Sequence, residues 1–221
     1  MTDDRGERIV MTVFAHPDDA ELCCFGLLAK LRKSGWRVVL VIATLGENGA
    51  DATAWSREAE ARAAAEGLGA EIVFGQFRDG YVPRSAELVG WVEALLEAYR
   101  PQMIISHFSG DSRTTHQDHA AVEAAAQIAA RRAWWRPTLL LAEGLDNDVS
   151  FRPNWFVDIT DEFASKMIAI GLHASQGGKY YMAPDYLEVR ARKWSLNFRI
   201  PPGQPLSKCY WEAFQLVQHA I

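Results

Sequence analysis

The chain has 221 residues, 49% of them hydrophobic and 23% charged, with a formal net charge of -5. An acidic balance without a Lys/Arg block argues against a nucleic-acid groove, and no run approaches the roughly eighteen apolar residues of a membrane span. Residues 1–8 are polar rather than basic and then apolar, so no nucleic acid, no membrane and a cytoplasmic location are expected. Cys23, Cys24 and Cys209 form no CxxC pair and read as small buried hydrophobes. No Pro/Gly/Ser-rich linker, low-complexity stretch or internal repeat divides the sequence, which predicts a single domain over 1–221.

Residues 8–14 form an apolar run that reads as a strand, followed by an amphipathic helix over 20–34 ending near Gly35 and a fully buried strand over 36–44. The run 45–50 has loop chemistry, and Ser56 reads as the cap of a helix through Leu68. Then come a short strand at 71–74, a helix over 85–99 stopped by Pro101, and an apolar strand over 102–106. A helix over 118–135, strands at 138–142 and 155–159, and a helix over 164–174 complete the readable pattern. This alternation predicts an α/β fold with a mostly parallel sheet covered by helices.

Two polar clusters interrupt it. His16, Asp18, Asp19 and Glu21 follow the first strand, and His116, Asp118 and His119 follow the strand over 102–106. Polar side chains at the carboxyl ends of parallel strands mark the ligand-binding edge of such a sheet. Imidazoles and carboxylates brought together there suit a hydrolytic metal centre, because a catalytic zinc takes three N or O protein ligands and leaves one position for water. The opposing reading of the first cluster is a capped helix start, with Asp18 or Asp19 accepting free backbone N–H groups.

The motif A-H-P-D-D-x-E stands intact at 15–21 and H-x-D-H at 116–119. In these motifs the chain resembles the de-N-acetylases typified by N-acetylglucosaminyl-phosphatidylinositol deacetylase and by LmbE-like proteins. The resemblance extends to Gly46-Glu47-Asn48-Gly49, Arg57-Glu58, Asp79-Gly80, Lys166, His173-Ala174-Ser175-Gln176 and the tail Trp211-Glu212-Ala213-Phe214. It implies a Rossmann-like three-layer fold and a divalent metal, Zn²⁺ with Fe²⁺ as a substitute. The implied reaction is acetamide hydrolysis on a small-molecule N-acetylated amino sugar containing N-acetylglucosamine. Matched residue by residue, His16, Asp19 and His119 would ligate the metal and Asp18 would be the general base. His116 would stabilise the oxyanion in protonated form and act as acid, with Asp118 orienting it and favouring its charge. Arg57 and Asp79 match positions that contact sugar hydroxyls; the plainer alternatives are an Arg57 pair with Glu58 or Glu60 and an Asp79-Gly80 turn.

One departure stands out. Where some relatives carry an oxyanion-donating tyrosine two residues before the first histidine of H-x-D-H, this chain has Thr114. His107 reads as a structural histidine, His173 as packing behind the site, and Trp134, Trp135, Trp194 and Trp211 as core or oligomer contacts that could also wall a sugar site. The Trp-rich tail permits a homo-oligomer. Two other functions are compatible with the sequence. One is an amidase of the same family acting on a different acyl amide or thiol conjugate, and the other is a non-catalytic carbohydrate- or nucleotide-binding module.

Overall fold

The computed structural model describes residues 6–49, 54–110, 115–145, 150–198, 205 and 208–219. Seven strands form one sheet: β1 (Ile9–Phe14), β2 (Arg37–Ile42), β3 (Glu71–Phe74), β4 (Met103–His107), β5 (Thr138–Ala142), β6 (Trp155–Asp158) and β7 (Trp211–Gln218). The helices are α1 (Asp19–Lys33), α2 (Ala54–Leu68), α3 (Ala86–Tyr99), α4 (Gln117–Arg132), α5 (Phe163–Gly171) and α6 (Pro184–Arg192). The sheet order is β3-β2-β1-β4-β5-β7-β6; the first five strands run parallel, and β7 is antiparallel to both β5 and β6.

Every residue of β1 is buried, as expected for a parallel strand covered on both faces. Alternate residues divide the core. Val10 and Phe14 pack with Leu22, Phe25 and Leu28 of α1, Leu68 of α2 and Ile170 of α5, while Met11 and Val13 pack with Leu88 and Val92 of α3 and the alanine face of α4. The result is the expected three-layer arrangement. Ser56 is not a cap, since α2 begins at Ala54. No helix among the described residues is long and apolar enough to cross a membrane.

The strand order reverses direction at β1 and β4. Chain segments leaving their carboxyl ends diverge there and open a crevice, the usual ligand position in open α/β sheets. Both polar clusters border it.

A buried ion pair fixes α1 from behind. Lys166 Nζ donates to Glu212 Oε1 at 2.6 Å and to the Leu22 carbonyl at 3.0 Å. The two Glu212 oxygens accept from Gly26 N at 2.9 Å and Leu27 N at 2.8 Å. Each side chain is only 5% exposed as a residue, so neither charge has water to fall back on. Lys166→Met therefore strands a buried carboxylate and is expected to cost about 3–5 kcal/mol. Thermal unfolding should fall by roughly 10 °C, with much of the loss recovered in the double variant Lys166→Met, Glu212→Gln. A drop below about 1 kcal/mol would show that the pair contributes no more than a surface salt bridge.

Candidate active site

The chain leaves β1 through a turn that ends at Asp18, whose φ of 110° and ψ of -24° lie in a region uncommon for a residue with a side chain. Such a conformation costs of order 1–3 kcal/mol and persists only where surrounding contacts hold it. Asp18 makes no capping bond to α1; its Oδ2 lies 3.2 Å from Arg57 Nη2 instead. Asp19 braces the turn, its Oδ2 accepting from His16 N at 2.7 Å. The helix-cap alternative therefore fails for Asp18.

Three donor groups converge beside this turn. His16 Nδ1 is 3.1 Å from His119 Nε2, Asp19 Oδ1 is 3.4 Å from His119 Nε2, and Asp19 Oδ2 is 3.5 Å from His16 Nδ1. Two ligands about 2.1 Å from one ion at a tetrahedral angle lie about 3.4 Å apart, so the spacing fits a zinc-sized divalent cation. The other ring nitrogen of His16 is held between carboxylates, 3.2 Å from Asp118 Oδ2 and 3.1 Å from Asp79 Oδ1. A proton fixed on Nε2 leaves Nδ1 to face Asp19 and His119, the arrangement by which carboxylates orient metal-binding imidazoles. Burial opposes the charged form of His16, but Asp118, Asp19 and Asp79 outweigh it and hold its pKa well above the ordinary imidazole value. Four buried carboxylates, of Asp18, Asp19, Asp79 and Asp118, stand against the buried cation of Arg57, and His16 is neutral when its Nδ1 ligates, so charge balance also favours a bound cation.

His107 ends β4 beneath the cluster, its ring stacked on His119 with centroids 3.9 Å apart. Its Nε2 lies 3.4 Å from Asp19 Oδ2, but it accepts from Ala15 N at 3.0 Å, which occupies the lone pair a metal would need. Burial drives its pKa well below the ordinary value, helped by the charge on His119. His107 is a neutral support.

His116 caps α4, its Nδ1 accepting from Asp118 N at 3.3 Å, which leaves Nε2–H as a donor on a residue that lines the cavity. Burial, then the neighbouring His16 and His119, lower its pKa. The Asp118 carboxylate turns away from His116 to accept from Gly80 N at 2.6 Å and Val82 N at 3.0 Å and to meet His16. The Asp118 charge favours the protonated form of His116, but burial and the neighbouring His16 and His119 outweigh it.

Arg57 is buried and serves Asp18 rather than a surface carboxylate. Its Nη2 also donates to the Pro17 carbonyl at 2.5 Å, and its Nη1 to the Gly46 carbonyl at 3.2 Å. Gly46 has φ +65°, and a Cβ there would lie 2.3 Å from Arg57 Nη1, so both backbone conformation and close approach demand glycine. Glu58 pairs with Arg62, while Glu60 accepts from the Ser175 backbone and hydroxyl. Asp79 Oδ2 accepts from Asn48 N at 2.9 Å and Asp79 N donates to Glu47 Oε1 at 2.8 Å, which staples the 46–49 loop to the site. Burial raises the Asp79 pKa, but His16 and the Asn48 N–H overcome this and leave it at about 2. Both residues line the cavity, yet Arg57 is engaged with Asp18 and Asp79 with His16.

The cavity measures about 300 Å³ and is bounded by both clusters, Asn48, Gly49, Gly80, Leu145 and the segment Lys179-Tyr180-Tyr181. That segment escaped the sequence reading, although Gly177-Gly178 beside it marks a loop; the pattern carries no signal for which loop reaches β1. The tryptophans lie elsewhere. Trp135 donates to the Pro101 carbonyl, Trp194 to Glu143, and Trp211 stacks on Phe198. His173 sits behind α1 with Nε2 3.5 Å from Glu21 Oε2. Thr114 falls outside the described residues.

The family model for GlcNAc-PI de-N-acetylase (PIG-L) matches residues 11–130, which contain both polar clusters. The uncharacterized deacetylase YaiS of Escherichia coli (strain K12) is 30% identical over 173 residues, covering 75% of this chain and 90% of YaiS. The 1D-myo-inositol 2-acetamido-2-deoxy-alpha-D-glucopyranoside deacetylase of Mycobacterium sp. (strain KMS) is 26% identical, over 76% of this chain and 73% of that protein. In fold, the chain matches N,N'-diacetylchitobiose deacetylase from Pyrococcus horikoshii with a TM-score of 0.81 at 21% identity, covering 96% of this chain and 84% of that one. Motifs, crevice and sequence matches agree: the chain belongs to the PIG-L, or LmbE-like, family.

Proposed function

We propose that the chain is a metal-dependent hydrolase that removes the acetyl group from a small-molecule N-acetylated amino sugar. The observation that carries this reading is the convergence of His16 Nδ1, Asp19 and His119 Nε2, with the strained Asp18 alongside. His16, Asp19 and His119 would hold the ion, Zn²⁺ or Fe²⁺, since imidazole and carboxylate suit both. A divalent ion at such a position supplies Lewis acidity and lowers the pKa of water.

Asp18 takes the proton of the attacking water. Burial pushes its pKa up and Arg57 pulls it back, leaving it at about 6, close to neutral pH, where a general base works well. Water oxygen adds to the acetyl carbonyl carbon while His116 donates Nε2–H to the carbonyl oxygen as negative charge develops there. The C–N bond then breaks, and the nitrogen leaves with the proton that Asp18 took, giving acetate and a free amine. Deacetylases of acetamido sugars among the relatives support the substrate class. Acetate and amine release from a panel of N-acetylglucosamine conjugates should stop on chelation and return with added Zn²⁺. Absence of release from every sugar by metal-loaded protein would overturn this substrate class and point to another acyl amide.

A further inference from the structure

The cavity mouth carries a cation that hydrolysis does not require. Lys179 lines it with Tyr180 and Tyr181. The segment is held by tight backbone bonds: Lys179 N donates to the Gln176 carbonyl at 3.0 Å, Met182 N to the Lys179 carbonyl at 3.0 Å, and Ala183 N to the Tyr180 carbonyl at 3.2 Å. Lys179 Nζ lies 5.5 Å from the centre of the Tyr181 ring and, among the described residues, has no carboxylate partner.

The carboxylates deeper in the cavity have nearer partners than this lysine. Asp18 is paired with Arg57, Asp19 with His16 and His119, and Asp79 and Asp118 with His16 and backbone N–H groups. Lys179 is half-buried as a residue, and among the described residues its ammonium faces the Tyr181 ring but no carboxylate. In a chain of net charge -5, it places a positive charge on the wall of the cavity. Beside it, Tyr180 is 65% exposed and is buttressed edge-on by Tyr181 and Tyr186, with centroids 5.4 and 5.5 Å away. An aromatic face next to a cation that meets no carboxylate among the described residues suits a group that is part ring and part anion.

We propose that Lys179 determines specificity by pairing with an anionic substituent, a phosphate or carboxylate, on the acetamido sugar, with Tyr180 and Tyr181 forming the wall beside it. The inference rests on the deacetylase reading of the same cavity and adds a charge to its substrate.

The test compares kcat/KM for N-acetylglucosamine 6-phosphate and N-acetylmuramic acid with that for N-acetylglucosamine and its methyl glycoside, in wild type, Lys179→Met and Lys179→Arg. Wild type should favour the anionic sugars roughly tenfold at low salt, and the ratio should shrink as salt rises. Lys179→Met should bring the ratio near one, and Lys179→Arg should restore most of it. A wild-type ratio near one, or an unchanged ratio in Lys179→Met, overturns the proposal. Calorimetric binding of glucosamine 6-phosphate and glucosamine, which carry no acetyl group, separates this from failure of the deacetylase reading. Lys179-dependent preference for the phosphate without turnover of any acetyl sugar would sustain the subsite and reject the reaction.

Discussion

Asp18→Asn should lower kcat for acetate release by roughly 10²–10⁴-fold while metal content stays at the wild-type level. The substitution keeps the size of the side chain but removes its basicity and the negative charge that faces Arg57. Asparagine matches aspartate in size, its carbonyl oxygen can still accept from Arg57 Nη2, and it tolerates positive φ about as well, so the turn at φ 110° should survive. What is lost is the ability to take a proton from water. Asp18 is also separate from the three converging donors, since its contact is with Arg57 rather than with His16 or His119. Steady-state kinetics, metal analysis and circular dichroism on one preparation check all parts of the expectation. Wild-type kcat in a folded, metal-loaded Asp18→Asn protein would remove Asp18 from proton transfer.

The parallel half of the sheet was legible because burial on both faces writes β1, β2, β4 and β5 as near-continuous apolar runs. β7 was not. Its sequence Trp211–Gln218 carries Glu212, whose carboxylate is buried because Lys166 and two α1 amides satisfy it, and that charge hides a strand from any pattern of apolar residues. The site shows the same division. His16, Asp18 and Asp19 lie within one turn, and His116, Asp118 and His119 within another, so proximity within each cluster could be read directly. Partners across the crevice could not. Asp118 meets His16 from the other cluster, and Asp79 reaches the same ring from a third loop, contacts fixed only when β1, α4 and the loop after β3 pack together. Arg57 was visible as a residue, but its role depends on Gly46 letting the loop backbone approach its guanidinium. Lys179, Tyr180 and Tyr181 enter from nearly the far end of the chain, with no local pattern tying them to β1.

His119→Ala should strip the bound metal, from about one equivalent per chain to roughly a tenth or less, and abolish measurable turnover. The change removes one of three convergent donors and leaves His16 Nδ1 and Asp19, too few protein ligands for a stable zinc-type shell. Stability should change little, because His119 is partly exposed in the first turn of α4 and alanine is the best helix former. The informative contrast is His107→Ala, directly beneath it. Asp19, His107 and His119 also bring nitrogen and oxygen atoms close enough to suggest a ligand triad, as do His16, His116 and His119, so proximity alone does not decide whether His107 is a ligand. The hydrogen bond from Ala15 N does, because it commits the Nε2 lone pair of His107 to the protein. His107→Ala should therefore retain metal but leave a buried N–H without a partner, costing about 1–3 kcal/mol in unfolding free energy. Metal analysis and thermal denaturation of the two variants thus give opposite patterns: metal lost with the fold kept for His119→Ala, metal kept with the fold weakened for His107→Ala. The reverse pattern would move the ligand set from His16, Asp19 and His119 to Asp19, His107 and His119.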